Sequence, residues 1–448
     1  MTTRQTQTLG YPRIGREREL KRALESYWRG TIDKPALLRT FWEVTEAGWR
    51  TQLTSGIDKI GVGSETLYDH VLDWAVRFGL IAPRFEDLTG LEQYFAMARG
   101  ASGVPALEMT KWFDTNYHYL VPEIDGTVTP DAHFEDFLAL VTRAQGMLGE
   151  RTVPIVLGPV TLLALSRVTT DEKAVFETLL PLFGQLLRAL SDLGIEEVQI
   201  HEPALVLDRA ATLRDRVTRT YEVLADTGVN LNLVTYFDDL GAAYPWVVDL
   251  PVAVLSLDFT RGNTLDLIAQ HGWPEDKTLA VGIVDARSVW RVRPSQMETL
   301  LEALEDVSDF RIGPSASLQF VPYAASRERE LPNPLRGVLA FAEEKLEEIR
   351  HLGDGETGNA ASWAAFNDFS PEDEALKARI QDLTDGDYSR AMGYDKRRPR
   401  QIQLPRFPMT TIGSFPQTRD VRRLRARFRR GEIDEATYEA GIDAFIAY

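Results

Sequence analysis

The chain has no cysteine among its 448 residues. Disulfides, thiolate metal ligands and nucleophilic thiols are therefore all excluded. Histidine is scarce. His70, His118, His133, His201, His271 and His351 show no metal-ligand spacing, so the chain itself is expected to bind no metal. Positive charge is also in deficit, with 50 Lys and Arg against 67 Asp and Glu and a net charge of -17. That balance argues against a general nucleic-acid binder. No long apolar run is present. The longest, around Val153 to Leu165, contains Gly158 and Pro159 and is too short for a bilayer, so no membrane partner is expected. The start, Met1-Thr2-Thr3-Arg4-Gln5, is polar and shows no signal peptide, which reads as a cytoplasmic protein.

What is present is a beginning that occurs twice. Thr8-Leu9-Gly10-Tyr11-Pro12 returns, with one residue inserted, as Thr411-Ile412-Gly413-Ser414-Phe415-Pro416. Arg29-Gly30-Thr31-Ile32-Asp33 returns as Arg430-Gly431-Glu432-Ile433-Asp434. Paired matches at one offset of about 400 residues mark a duplicated domain. The sequence reads as a whole domain over 1–350, an interdomain linker over 351–408, and the truncated opening strand and helix of a second domain over 409–448. The linker is rich in Gly, Asp, Asn and Pro, with one helix expected in 371–383. The second opening lacks the domain it should build. Its helix, with a stripe of Val421, Leu424 and Phe428, is expected to be disordered or to pack on a neighbour.

Composition is that of a globular protein, 44% hydrophobic and 26% charged. Apolar runs at Thr8–Tyr11, Ile57–Val62, Val153–Leu157, Val198–His201, Leu231–Tyr236, Val252–Asp258, Leu279–Val284 and Phe310–Ile312 suit parallel strands buried on both faces. Helical patterns lie between them, such as Leu38, Phe41, Trp42, Thr45, Trp49 and Leu53. About eight strand–helix units in roughly 350 residues predict an α/β fold, a (β/α)8 TIM barrel with insertions. No Gly-rich dinucleotide fingerprint follows a strand.

Barrel chemistry sits on the loops after the strands. The first such loop carries Arg13, Arg16, Arg18, Lys21 and Arg22 against only Glu17 and Glu19. Cations at a helix N-terminus oppose its dipole, so the cluster reads as an anion site or as a solvated basic face. In Met109-Thr110-Lys111-Trp112-Phe113-Asp114-Thr115-Asn116-Tyr117, Lys111 reads as a carboxylate holder beside a stacked ring, or as a lysine covering aromatic surface. A third candidate is His201-Glu202-Pro203 at a strand end: Glu202 stands in the usual place for catalysis, and His201 as a base or ligand.

These residues carry a resemblance. The segments Leu9 to Gly15, Arg18-Glu19-Leu20-Lys21, Lys111 to Tyr119, Gly158-Pro159-Val160-Thr161, Gln199 to Leu205 and Thr411 to Thr418 resemble the N-terminal half of cobalamin-independent methionine synthases. Those proteins transfer a methyl group from 5-methyltetrahydropteroyltri-glutamate to homocysteine in methionine biosynthesis. The resemblance implies a folate-tail site at Arg18, Glu19, Leu20, Lys21 and Lys111, and part of a homocysteine pocket at Ile412, Gly413 and Ser414. It implies a monomer at full length, with two facing barrels and a zinc held by His, Cys, Glu and Cys on the second. By the repeat, Ala316 falls where that barrel has a cysteine ligand, and Val234 to Phe237 where it has His-x-Cys. The family has Asp-Glu-Pro where this chain has His201-Glu202-Pro203, so no Asp role carries over to position 201.

Methyl transfer from a folate N5 needs a thiolate, which zinc supplies by lowering the thiol pKa, and a proton for the leaving nitrogen. The expected share of this chain is ligand anchoring, with no catalytic residue and no activity by itself. Two rivals remain: a barrel hydrolase pairing Glu202 with Glu108 or Asp258, and a non-catalytic binding or scaffold barrel.

Overall fold

The computed structural model describes residues 4–304, 307, 310–369, 373–409 and 418–447. The chain divides into two compact units between residues 371 and 372.

The first unit is a (β/α)8 barrel. Its parallel sheet runs in the order β2 (Ile60–Val62), β3 (Thr152–Leu157), β4 (Glu197–His201), β5 (Asn230–Val234), β6 (Val254–Asp258), β7 (Thr278–Val284) and β8 (Phe310–Pro314). Closure comes from β1, residues 6–7. Thr6 bridges Ile312 and Gln7 bridges Lys59, both in parallel. The N–H of Gln7 donates to Ile312 O at 2.9 Å, and that of Thr8 to Lys59 O at 2.9 Å. The first strand thus lies earlier than the apolar run Thr8–Tyr11 suggests. Gly10, at φ 110°, has already left the extended path, and a Cβ there would stand 2.7 Å from Ser317 Oγ.

Side chains alternate between the barrel interior and the helices outside. In β4, Val198 and Ile200 join the large hydrophobic cluster, while Glu197, Gln199 and His201 share the other face. The interior is polar and wired together. Both carboxylate oxygens of Glu197 accept from Arg311 Nη1 at 2.7 and 2.8 Å, and Oε1 also accepts from Asn232 Nδ2 at 3.0 Å. Gln7 Nε2 donates to Ser256 Oγ, and Ser256 Oγ to Asn232 Oδ1. Most of these polar groups satisfy one another, which lowers the cost of burying them, while Arg311 Nε is left without a partner.

After β1 come α1 (Glu19–Trp28) and α2 (Lys34–Thr54). Asp33 caps α2 by accepting from the Ala36 N–H at 2.9 Å. Phe41, Thr45 and Trp49 are buried along one face of α2, with Leu38, Trp42 and Leu53 partly covered. The long insertion between β2 and β3 holds an antiparallel hairpin, Met109–Lys111 with His118–Leu120. Beyond the barrel strands, helix Ala360–Phe369 packs on Asn333–Gly337 with Trp363 buried.

The second unit contains the helix expected in 371–383, at Glu374–Gln381, and a helical hairpin, Arg419–Arg429 with Glu435–Ala447. The stripe of Val421, Leu424 and Phe428 is therefore not without a cover of its own. Phe428 stacks on Tyr438 with ring centroids 4.6 Å apart, and Leu424 fills the space over Gly441. A helix not read from the sequence supplies the missing surface. Ile412, Gly413 and Ser414 lie outside the described residues. Among the described residues no helix is long and apolar enough to cross a membrane.

Candidate functional site

The loop after β1 is held at several points, and its free cations follow from how it is held. Leu9 and Tyr11 are buried. Arg13 donates to the carbonyls of Thr66 at 3.3 Å and Tyr68 at 2.8 Å, tying the loop to the one after β2. Arg16 pairs with Glu343, and Glu17 with Arg327. Arg18 then takes the left-handed conformation, φ 63° and ψ 35°, as the residue capping α1. A non-glycine residue there is uncommon and points to a constrained turn.

From that turn α1 sets its faces by helical period. Leu20, Ala23 and Leu24 enter a second hydrophobic cluster. Lys21 and Arg22 stand on the exposed face with Arg18. Glu19 folds back, its Oε2 accepting from the Glu17 N–H at 2.9 Å. Of the four consecutive residues Arg18 to Lys21, two present free charge, one closes the turn and one is core. Leu20 offers a ligand only its backbone.

Lys21 lines a cleft of about 370 Å³ with Arg13, Tyr68, Asn116, Tyr117 and His118. Lys111 is the register partner of His118 across the hairpin, so the two side chains leave from the same face. Lys111 is exposed. The ring beside it is not available to a ligand: Trp112 is 1% exposed and packs on His70, Phe113 and Tyr119. Trp112 is therefore core, whereas Tyr117 of the same stretch is partly exposed and lines the cleft. Among the described residues, the side chains of Arg18, Lys21, Arg22 and Lys111 have no acidic partner. Arg13 and Asn116 belong to the two candidate segments, whereas Tyr68 and His118 escape a reading of the sequence, since placing them beside Lys21 needs the hairpin register and the contact between two loops.

His201 and Glu202 are built into the barrel. His201 Nε2 meets Gln199 Oε1 at 3.2 Å. Burial, with His70 nearby, lowers its pKa to about 3, so it is a neutral ring and a poor base. Glu202 accepts from the Val160 N–H at 3.0 Å and the Thr161 N–H at 2.6 Å. Burial raises its pKa to about 7 against those two donors. Both its oxygens are occupied in holding the turn after β3. Asp258 is committed as well: Oδ1 accepts from the Thr260 N–H and hydroxyl, and Oδ2 from the Phe237 N–H. Glu108 pairs with Arg167 on the surface. None of the three carboxylates proposed for hydrolysis is both free and set in a pocket.

Among the described residues no three His, Asp or Glu side chains come together to hold a metal ion. With no cysteine in the chain, the donors present do not fit a zinc centre of the His and Cys type.

Comparison with known proteins agrees with this architecture. A 5-methyltetrahydropteroyltriglutamate–homocysteine methyltransferase from Synechococcus sp. is 54% identical over 455 residues, covering 99% of this chain and 60% of that protein. The protein of the same name from Trichodesmium erythraeum is 52% identical, with 99% of this chain and 61% of its own length covered. The chain thus spans about 60% of the length of these relatives. A solved B12-independent methionine synthase from Shewanella sp. W3-18-1 shares the fold at a TM-score of 0.51 and 13% identity, covering 85% of this chain and 98% of that one. Residues 5–309 match the N-terminal domain of cobalamin-independent synthases, and residues 407–448 match their catalytic domain. The chain belongs to the cobalamin-independent synthase family.

Proposed function

We propose that this chain is the folate-tail-binding barrel, with the opening of the catalytic domain, of a methyltransferase acting between 5-methyltetrahydropteroyltri-glutamate and homocysteine. One observation carries the reading. On a chain of net charge -17, Lys21 and Arg13 line the cleft beyond β1 and β2 with Glu25 as its one acid, Lys111 leaves the hairpin on the same face as the cleft residue His118, and among the described residues Arg18, Lys21, Arg22 and Lys111 have no acidic partner. A ligand bearing several carboxylates is the chemistry such a cleft receives. In this reading Arg18, Lys21 and Lys111 hold the carboxylates, Glu19 closes the turn that presents them, and Leu20 fixes the helix to the core. The names of the relatives, whose sequences match 99% of the chain, supply the two substrates.

The division of labour follows from the donor set. This chain binds and orients the polyglutamate, while thiol activation by zinc belongs to residues it does not contain. The roles of Ile412, Gly413 and Ser414 toward homocysteine rest on the family match over 407–448. Cytoplasmic location and a monomeric full-length protein stay part of the proposal. The hydrolase reading is disfavoured by the committed carboxylates of Glu202 and Asp258.

Calorimetric titration with tri- and monoglutamyl 5-methyltetrahydrofolate tests the proposal. The triglutamate is expected to bind more tightly and in a salt-sensitive way. Equal affinity for the two forms would remove it.

A further inference from the structure

A second cavity opens on other loops of the same barrel, and nothing in the folate-tail reading uses it. It has a volume of about 630 Å³ and lies beyond the C-terminal ends of β6 and β7, the end of a barrel where ligands bind. That volume falls within the range of small-molecule sites. One wall is aromatic: Trp290, Trp363 and Phe366 meet with ring centroids about 6 Å apart, 6.2 Å for Trp290–Phe366 and 6.0 Å for Trp363–Phe366. Trp290 remains 43% exposed, so its ring is accessible from the cavity.

The other wall is cationic. Arg293 lies over the Trp363 ring at 3.9 Å and has no acidic partner among the described residues. Arg291 has a buried Nε with no hydrogen-bond partner, and its Nη2 is 3.8 Å from Glu347. The acid lining the cavity, Asp285, is already engaged. Its Oδ1 accepts from the N–H groups of Arg287 and Ser288, and its Oδ2 faces Arg261 at 4.0 Å.

The wall is also held from behind by groups expensive to bury. Lys345, fully buried, donates to the Trp290 carbonyl at 3.3 Å. Glu348, 1% exposed, accepts from the Val292 N–H at 3.0 Å and from Asn359 Nδ2 at 3.2 Å. Trp363 Nε1 donates to the Val292 carbonyl at 3.1 Å. Asn359, which opens the helix bearing Trp363, sits at φ 63°. Spending a buried lysine, a buried glutamate and a left-handed asparagine to position three residues of loop is the support a binding wall needs.

From this arrangement we infer that the cavity binds a planar aromatic ring carrying an oxyanion, the ring against Trp290 and Phe366 and the anion on Arg291 and Arg293. A carboxylate and a phosphate share that chemistry. Hippurate and adenosine 5′-monophosphate serve as probes for the two, and benzamidine as the aromatic cation. Each is titrated into the 448-residue chain by calorimetry, with the tryptophan indole N–H resonances followed by NMR.

Saturable binding of either oxyanion, with shifted indole signals, is expected. Whichever binds more tightly names the anion. Arg293→Gln and Trp290→Ala, both on exposed side chains, should each weaken it about fivefold, the scale of one lost surface charge or stacking contact. Lys21→Ala should leave it unchanged, which separates this site from the folate-tail cleft. Benzamidine binding as tightly as the oxyanions overturns the inference. So does the absence of saturation with both oxyanions, or a loss of affinity in Lys21→Ala but not in Arg293→Gln.

Discussion

Lys111 stands directly across the hairpin from His118, and His118 lines the cleft that Lys21 reaches from α1. In the proposed function these two cations, from segments about 90 residues apart in sequence, serve one ligand with several carboxylates. Neither lysine supports the core, so Lys21→Ala and Lys111→Ala should leave the melting temperature nearly unchanged. Each should weaken the triglutamate several-fold, since an exposed ionic contact contributes about 0.2–1 kcal/mol. Screening over roughly 8 Å at physiological ionic strength should make that binding fall as salt rises. Calorimetry at low and high salt checks both points. A variant indistinguishable from the parent would return the cluster to an ordinary solvated face.

Gly158 is fixed by space, not by backbone angle. Its φ of -66° is open to any residue. A Cβ there would fall 2.1 Å from Glu202 Cδ and Oε1. Gly158→Ala must therefore push the carboxylate off the Val160 and Thr161 N–H groups, at a cost of roughly 1–3 kcal/mol. Glu202→Ala alone strands those donors. The double variant should cost less than the two single changes added together, because the clash disappears with the carboxylate. Additive losses in thermal unfolding would contradict the contact.

The interior pair of Arg311 and Glu197 makes a different prediction. Arg311→Met leaves a buried carboxylate without its cation and should cost about 3–5 kcal/mol. Adding Glu197→Leu should restore part of the loss, since the uncompensated charge is then gone. If the double variant were less stable than Arg311→Met, the network joining Glu197, Asn232 and Ser256 would be worth more than the ion pair.

Much of this was legible because strand and helix periods are local. The runs at β3, β4, β6 and β7 and the stripe of α2 could be read from spacing alone, and eight such units imply a barrel. Three things were not legible for physical reasons. The closing strand is two residues bridging neighbours more than 50 and 300 positions away, a pairing no local period encodes. Polar residues at alternate positions of β4 and β5 face a wired interior, whereas alternation by itself usually suggests a wet face. Glu202 occupies a catalytic location but performs a structural task, and only its two backbone donors distinguish the roles. In the cleft, the cluster on α1 and Lys111 could be named. Their common space could not, because it depends on the hairpin register and on Arg13 tying two loops together.

His201 supplies a test in pH. Its ring is 5% exposed, beside Gln199, Tyr236 and a second, partly buried histidine, His70. Gln199 Nε2 donates to the Thr8 carbonyl, so Gln199 Oε1 is the acceptor and His201 carries its proton on Nε2. Protonating the other nitrogen adds a charge that no acidic group among the described residues offsets. Burial accordingly lowers the pKa to about 3, while the unfolded chain keeps a value near 6.5. Between those values the unfolded state binds the extra proton. The contribution of a neutral His201 is therefore complete above about pH 6.5 and declines as the pH falls toward about 3. His201→Gln keeps a donor for Gln199 and does not titrate. Carboxylates with raised pKa values, including Glu202, titrate in both proteins, so the difference between the two isolates the histidine. Relative to the variant, the parent should lose roughly 2–3 kcal/mol between pH 7.5 and pH 4.5, at about 1.4 kcal/mol per pH unit over the titrating span. Thermal unfolding of both across that range measures it. A difference that stays constant, or that favours the parent more strongly at low pH, would show that His201 carries its charge in the folded barrel.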